Sequence, residues 1–231
     1  MFIPNESLFM PQIIIDKIVR SKRKTVVLTI TEDAELIVHA PMRTSLHYIH
    51  GLVTKNLPWI EKKKAAVNKL NMDYKPKEFV DGEEFLYLGN VYTLKLSDQK
   101  QIELNDHLIF PRAYLPRAKE KLKEWYRAQA LPVISKRVAY YSLMTGCKYK
   151  SVKISTAKKR WGSCGPSGTL NFSWRLIMTP AEIVDYLVVH EVSHIKHRNH
   201  SAEYWNMVKT ILPYYKEHNK WLRENGRLLG L

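Results

Sequence analysis

The chain has 231 residues, of which 45% are hydrophobic and 26% charged; that is enough for one large domain or two small ones around a buried core, and it excludes a largely disordered chain. No apolar run approaches the length of a membrane span, and Met1-Phe2-Ile3-Pro4-Asn5-Glu6 lacks the basic stretch and apolar core of a secretory leader. The two cysteines, Cys147 and Cys164, exclude a disulfide framework, so a cytoplasmic protein with reduced thiols is expected.

The formal net charge is +15 and the pI about 9.7. Such a charge favours polyanionic partners, nucleic acid among them, unless it is simply spread over all faces. Basic residues do recur along the chain, at 20–24, 62–64 and 158–160.

In chain order, residues 12–19 form a largely apolar stretch. Residues 25–30 are rich in β-branched side chains, and 35–40 come after a polar turn at Glu32-Asp33. Together they read as a small meander or hairpin, ended by Pro41. Residues 45–55 and 57–70 read as helices with Trp59 and Ile60 as core anchors. A second β region comes next. Asp81-Gly82 precedes a strand over 84–88, Gly89-Asn90 precedes one over 91–96, and Asn105-Asp106 joins a hairpin over 100–110.

Pro116 opens a helix to about residue 131, with Leu122, Trp125 and Tyr126 on its apolar side. Pro132 is expected to break or kink it, because proline removes a donor and clashes one turn back. Helix resumes to Met144 and stops at Gly146. Short strands are predicted over 152–155 and 169–173, joined through Gly162, Gly165, Pro166 and Gly168. The fold class is therefore α+β. A β-rich N-terminal part with helices is expected over residues 1–114, and a mainly helical part with a short sheet over 115–231, either as separate domains or packed as one unit.

The helix with the most chemistry starts at Thr179-Pro180-Ala181-Glu182, which combines a capping box with proline at the first helical position. Ile183, Val184, Leu187, Val188, Val192 and Ile195 form its apolar stripe. On it lies His190-Glu191-Val192-Ser193-His194. A spacing of four puts both imidazoles on one face, one turn apart, where they can share one tetrahedral zinc. Glu191 is rotated about the axis, so that its carboxylate reaches a water rather than the metal. There it can act as general base.

A catalytic zinc takes three protein ligands. On a continuing helix His197 would lie about 10.5 Å along the axis from His190, too far to share a metal easily. His200 requires the chain to turn back, and Asn199 followed by a Ser201 cap supplies that turn. His200 is the preferred third ligand, with His197 at the rim. Cys164 is dispensable once three histidines are in place. The Ser201 helix carries Tyr204, Trp205, Val208, Ile211 and Leu212. Pro213 ends it, and a last helix covers 215–225. Arg160, Trp161, His197 and Tyr204 are candidate contacts to substrate or transition state. Each has a packing reading beside the functional one.

The motif His190-Glu191-Val192-Ser193-His194, with Asn199-His200-Ser201 and Tyr204-Trp205, resembles the YgjP-like family of zinc metallopeptidases, relatives of the SprT-like and WLM proteases. The segments Arg160-Trp161-Gly162-Ser163-Cys164 and Leu170-Asn171-Phe172-Ser173-Trp174-Arg175-Leu176 resemble that family's second signature. Arg20 to Lys24 and Tyr87-Leu88-Gly89 extend the likeness over nearly the whole chain. Val192-Ser193 replaces the commoner Leu-Ala, and Tyr204 stands where phenylalanine is usual. The resemblance implies a zincin-like C-terminal part, one zinc per chain on His190, His194 and His200, Glu191 as the catalytic residue, and peptide or protein substrates. Two other readings compete: a nucleic-acid-associated protein that cleaves bound proteins, and a metal-stabilised scaffold without catalysis.

Overall fold

The computed structural model describes residues 14–31, 33–73, 76–157 and 160–231. The expectations that touch residues 12, 13, 32, 158 and 159 lie outside these. Chain packing divides the protein into two compact units, Met1–Lys75 and Pro76–Leu231. Among the described residues there are six α-helices and three small sheets, an α+β protein as the sequence predicts. No described helix is long and apolar enough to cross a membrane.

The first unit holds strands β1 (Lys17–Ser21), β2 (Val27–Ile30) and β3 (Leu36–Pro41), then helices α1 (Leu46–Lys55) and α2 (Leu57–Asp73). The sheet order is β1-β3-β2, with β2 antiparallel and β1 parallel to β3. Strands β2 and β3 thus pair as an antiparallel hairpin, one of the two expected arrangements, while β1 joins parallel to β3 instead of extending a meander. The reason lies in β3, where Leu36, Val38 and Ala40 alternate and are fully buried. Such a strand takes the centre, and its less buried neighbours take the edges.

The Asp16 carboxylate accepts from the Leu36 N–H at 2.5 Å and pairs with Lys64 at 3.3 Å, fixing the start of β1. Ile49, Val53 and Ile60 close this core. Trp59 does not join it and is 42% exposed. Consecutive helix positions point about 100° apart, so Ile60 faces inward and Trp59 outward.

The second unit begins with β4 (Glu84–Tyr87), β5 (Asn90–Ser97), β6 (Glu103–Leu104) and β7 (Leu108–Pro111), in the order β4-β5-β7-β6. The β4–β5 turn is Leu88-Gly89, both at positive φ (47° and 81°). It lies one residue before the expected Gly89-Asn90, since Asn90 already pairs with Tyr87. The Leu88 and Gly89 N–H groups donate to the carbonyls of Ile177 and Met178 at 2.7 and 3.3 Å. A Cβ on Gly89 would lie 2.8 Å from Pro180 Cα, so this turn leans on the start of the histidine-bearing helix. Phe85, Leu94, Leu108 and Phe110 share one core with the C-terminal helices. Residues 84–111 thus pack with the C-terminal part of the chain, whereas the sequence groups them with the N-terminal part.

Helix α3 (Ala118–Thr145) runs unbroken through Pro132, contrary to the expected break. Pro132 and Ala128, whose carbonyl loses its partner, are both exposed, so the proline opens no gap in the buried face of the helix. Tyr126, Ala130, Ile134 and Val138 anchor both sides of the proline in the core. The helix stops at Gly146 in the left-handed region, φ 66°.

Strands β8 (Ser151–Ser155), β9 (Gly162–Cys164) and β10 (Thr169–Ser173) form a sheet in the order β8-β10-β9, β8 parallel and β9 antiparallel to the centre. Strand β9 falls in a stretch whose sequence reads as a glycine-rich connection. Helices α4 (Ala181–Lys196), α5 (Ala202–Ile211) and α6 (Tyr215–Asn225) complete the chain.

Candidate metal centre

Helix α4 is buried on most of its surface: Ile183, Val184, Tyr186, Leu187, Val188, Val189, Val192 and Ser193 are all inside. The expected capping box does not form. Pro180 is the N-cap, without a side-chain bond. The fully buried Thr179 hydroxyl donates instead to the Leu176 carbonyl at 2.8 Å, because the 3-10 turn Trp174–Met178 presses against it. On its other side α4 is tied to α3 by the Arg137–Asp185 pair at 2.8 Å. Burial raises the Asp185 carboxyl even against that guanidinium. The helix is thus a rigid rod for whatever it carries.

It ends at Lys196. His197 is extended (φ −124°, ψ 103°), and its carbonyl accepts from His194 Nδ1 at 3.0 Å. That bond fixes the tautomer and leaves the His194 Nε2 lone pair free to bind. The chain turns back through Arg198 and Asn199, and the Ser201 hydroxyl caps α5 by accepting from the Tyr204 N–H.

The turn brings His200 Nε2 to 3.3 Å from His190 Nε2. One ligand atom from each of His190, His194 and His200 lies within 4.8 Å of the others. Ring packing holds the imidazoles in place. His194 stacks on Tyr204 at 4.6 Å, His200 on Trp205 at 5.4 Å, and Trp205 on Tyr215 at 5.1 Å. Tyr204 is fully buried and donates its hydroxyl to the His190 carbonyl at 3.0 Å. It therefore braces the helix.

Burial depresses the His190 imidazole to about 3, helped by His194 and His200, and lowers His194 as well. Neutral imidazoles with converging lone pairs are the form a cation needs. Nitrogens bound to a tetrahedral zinc at about 2.0–2.1 Å lie roughly 3.3 Å apart, the separation of the His190 and His200 nitrogens. The spacing of that pair, and the all-imidazole donor set, therefore suit a borderline, nitrogen-seeking cation.

Glu191 is only 4% exposed, and burial pushes its carboxyl up to about 8. It packs on β9. A Cβ built on Gly162 would lie 2.7 Å from Glu191 Cγ and 2.8 Å from its Cδ, closer than side chains tolerate. This contact is not foreseen from the sequence, where Gly162 reads as a tight-turn residue. Its signal is the glycine directly after Trp161 in the Arg160 to Cys164 segment. Trp161 is half-buried. It receives the Arg175 guanidinium on its ring at 4.6 Å and lies against Gly226, where a Cβ would meet Cζ2 at 2.8 Å. Arg160 is exposed. The structure thus gathers His190, His194 and His200, with Glu191 next along the helix and packed on Gly162; Trp161 and Tyr204 both make packing contacts. His197 contributes through its main chain, and Cys164 is no member of the cluster.

A family model described as YgjP-like, metallopeptidase domain, matches residues 24–225. A search of the curated proteins found no match. Two solved structures share local similarity. The metallopeptidase zymogen of Pyrococcus abyssi abylysin is 21% identical over 41% of this chain and 94% of its own, with a TM-score of 0.37. That of Methanocaldococcus jannaschii jannalysin is 18% identical over 38% and 90%, with a TM-score of 0.35.

Proposed function

Because the chain belongs to the YgjP-like metallopeptidase family, we propose that it hydrolyses peptide bonds at a single zinc held by His190, His194 and His200, with Glu191 as the general base. The observation that carries this reading is the convergence of three imidazole ligand atoms within 4.8 Å, with the buried Glu191 directly following His190 in the helix.

A zinc bound there would supply a Lewis acid that acidifies water and polarises a scissile carbonyl. The rest falls to the chain. His190 and His194 present their lone pairs from one face of a buried helix. His200 would add a third from the returning loop. Glu191, desolvated against Gly162, is poised to take a proton from the attacking water and return it to the leaving amine. The new bond joins the water oxygen to the carbonyl carbon, and the amide C–N bond breaks.

A structural metal site is usually closed by four protein ligands. Three are gathered here among the described residues, which weighs against the scaffold reading. The test is zinc content and cleavage of a peptide library by wild type and Glu191→Gln. The variant is expected to keep one equivalent of zinc and lose turnover. Wild-type turnover by Glu191→Gln would remove Glu191 from the mechanism, and a metal-free wild type would remove the zinc.

A further inference from the structure

We infer that Arg198 is a positioning residue for the third ligand, a clamp that ties the His200 loop to the β9–β10 turn. The inference rests on reading His190, His194 and His200 as metal ligands. Two of these ligands stand on the buried rod of α4. His200 does not. It is exposed and sits on a short return between the last turn of α4 and the Ser201 cap. Among the described residues, no main-chain hydrogen bond holds residues 198–200: those nearby begin at the His197 N–H on one side and the Ser201 carbonyl on the other.

The Arg198 side chain takes their place. Nη1 donates to the Gly165 carbonyl at 3.0 Å and Nη2 to the Pro166 carbonyl at 2.9 Å, with Nη1 also 3.6 Å from Cys164 Sγ. A planar guanidinium can bridge two neighbouring carbonyls at once, whereas an ammonium is a point donor. The turn it grips is itself held, because Gly165 N–H donates to Thr169 O at 2.8 Å and Gly168 N–H to Gly165 O at 3.0 Å. The anchored strand is β9, whose Gly162 packs on Glu191. One side chain thus joins the element bearing the third ligand to the element backing the base. Stacking on Trp205 orients the His200 ring, and Arg198 restrains the main chain that delivers it.

Contacts that orient a metal ligand are typically worth about 10–100-fold in metal affinity. The experiment measures zinc affinity by chelator competition, and zinc release rate, on the full chain. The variants are Arg198→Ala, Arg198→Lys, His200→Ala and the Arg198→Ala/His200→Ala pair, with melting of each metal-free protein alongside. Arg198→Ala is expected to weaken zinc binding by about 10–100-fold, chiefly through faster release, and Arg198→Lys to recover only part of it. The double variant should bind within about threefold of His200→Ala, since a clamp on an absent ligand has nothing left to position.

Zinc affinity within threefold of wild type in Arg198→Ala overturns the proposal. So does additivity in the double variant, or a loss of metal-free melting temperature with affinity unchanged. If Arg198→Ala fails to fold, Arg198→Lys decides alone, and wild-type affinity there counts against the clamp. Unchanged affinity in His200→Ala refutes instead the ligand reading on which the proposal stands.

Discussion

Replacing Gly162 by alanine should separate catalysis from metal binding. The added methyl would sit 2.7 Å from Glu191 Cγ and 2.8 Å from Cδ, and closer still to Oε1. Ordinary van der Waals contact between carbons begins near 3.4 Å, so the carboxylate arm must retreat by at least about 0.7 Å, and its nearer oxygen Oε1 by more. Misplacing a reacting group by about 1 Å costs on the order of 100-fold, which puts the expected fall in kcat at about 30–100-fold. The crowding itself costs about 1–3 kcal/mol, partly offset by about 0.4–1 kcal/mol from stiffening the unfolded chain, so the variant should still fold. The three atoms nearest the new methyl all belong to Glu191, so zinc content should match that of the wild type. The assay pairs metal analysis with steady-state cleavage of one peptide, read as kcat and KM separately. Zinc-loaded Gly162→Ala with kcat within threefold of wild type would show that β9 does not set the position of Glu191.

Three further outcomes are expected. Tyr204→Phe removes the hydroxyl bond to the His190 carbonyl but keeps the stack on His194; urea denaturation should show a loss of about 0.5–1.5 kcal/mol, with zinc affinity reduced less than tenfold. Pro132→Ala restores a donor in the middle of α3, and should raise stability by about 1–2 kcal/mol, seen as a higher melting temperature. Asp16 is held below the ordinary carboxylate range chiefly by the Leu36 N–H, with Lys64 adding to it. Its folded value lies below its unfolded one, so its contribution is full above the unfolded value and is lost as pH falls through the lowered folded value. This is a half-exposed pair, so the effect is under about 1 kcal/mol, and Asp16→Asn should flatten that acid limb of the denaturation profile.

Much of the site was legible from spacing alone. A spacing of four between His190 and His194 guarantees a shared face once the segment is helical, and the apolar stripe of α4 made it helical. The return to His200 was readable because Ser201 caps a helix through its own side chain, a contact three residues long. Gly146 likewise ended α3 through its own backbone freedom. Signals carried by neighbours were overridden where a distant partner competed. The Thr179 hydroxyl went to the Leu176 carbonyl instead of the helix end. Pro132 failed to break α3 because the core held the helix on both sides of it. Trp59 lost the inside to Ile60.

The sequence by itself determined the helices, the shared face of His190 and His194, and the turn that returns His200 towards them, because these depend on helical period and local caps, which act within a few residues. Only the tertiary structure decided that β1 runs parallel to β3, that residues 84–111 pack with the C-terminal helices, and that β9 exists. It alone placed Gly162 against Glu191 and Arg198 on the β9–β10 turn. Those contacts join residues some thirty apart along the chain. Their energies come from close packing and hydrogen bonding between separate elements, which no local pattern of side chains encodes.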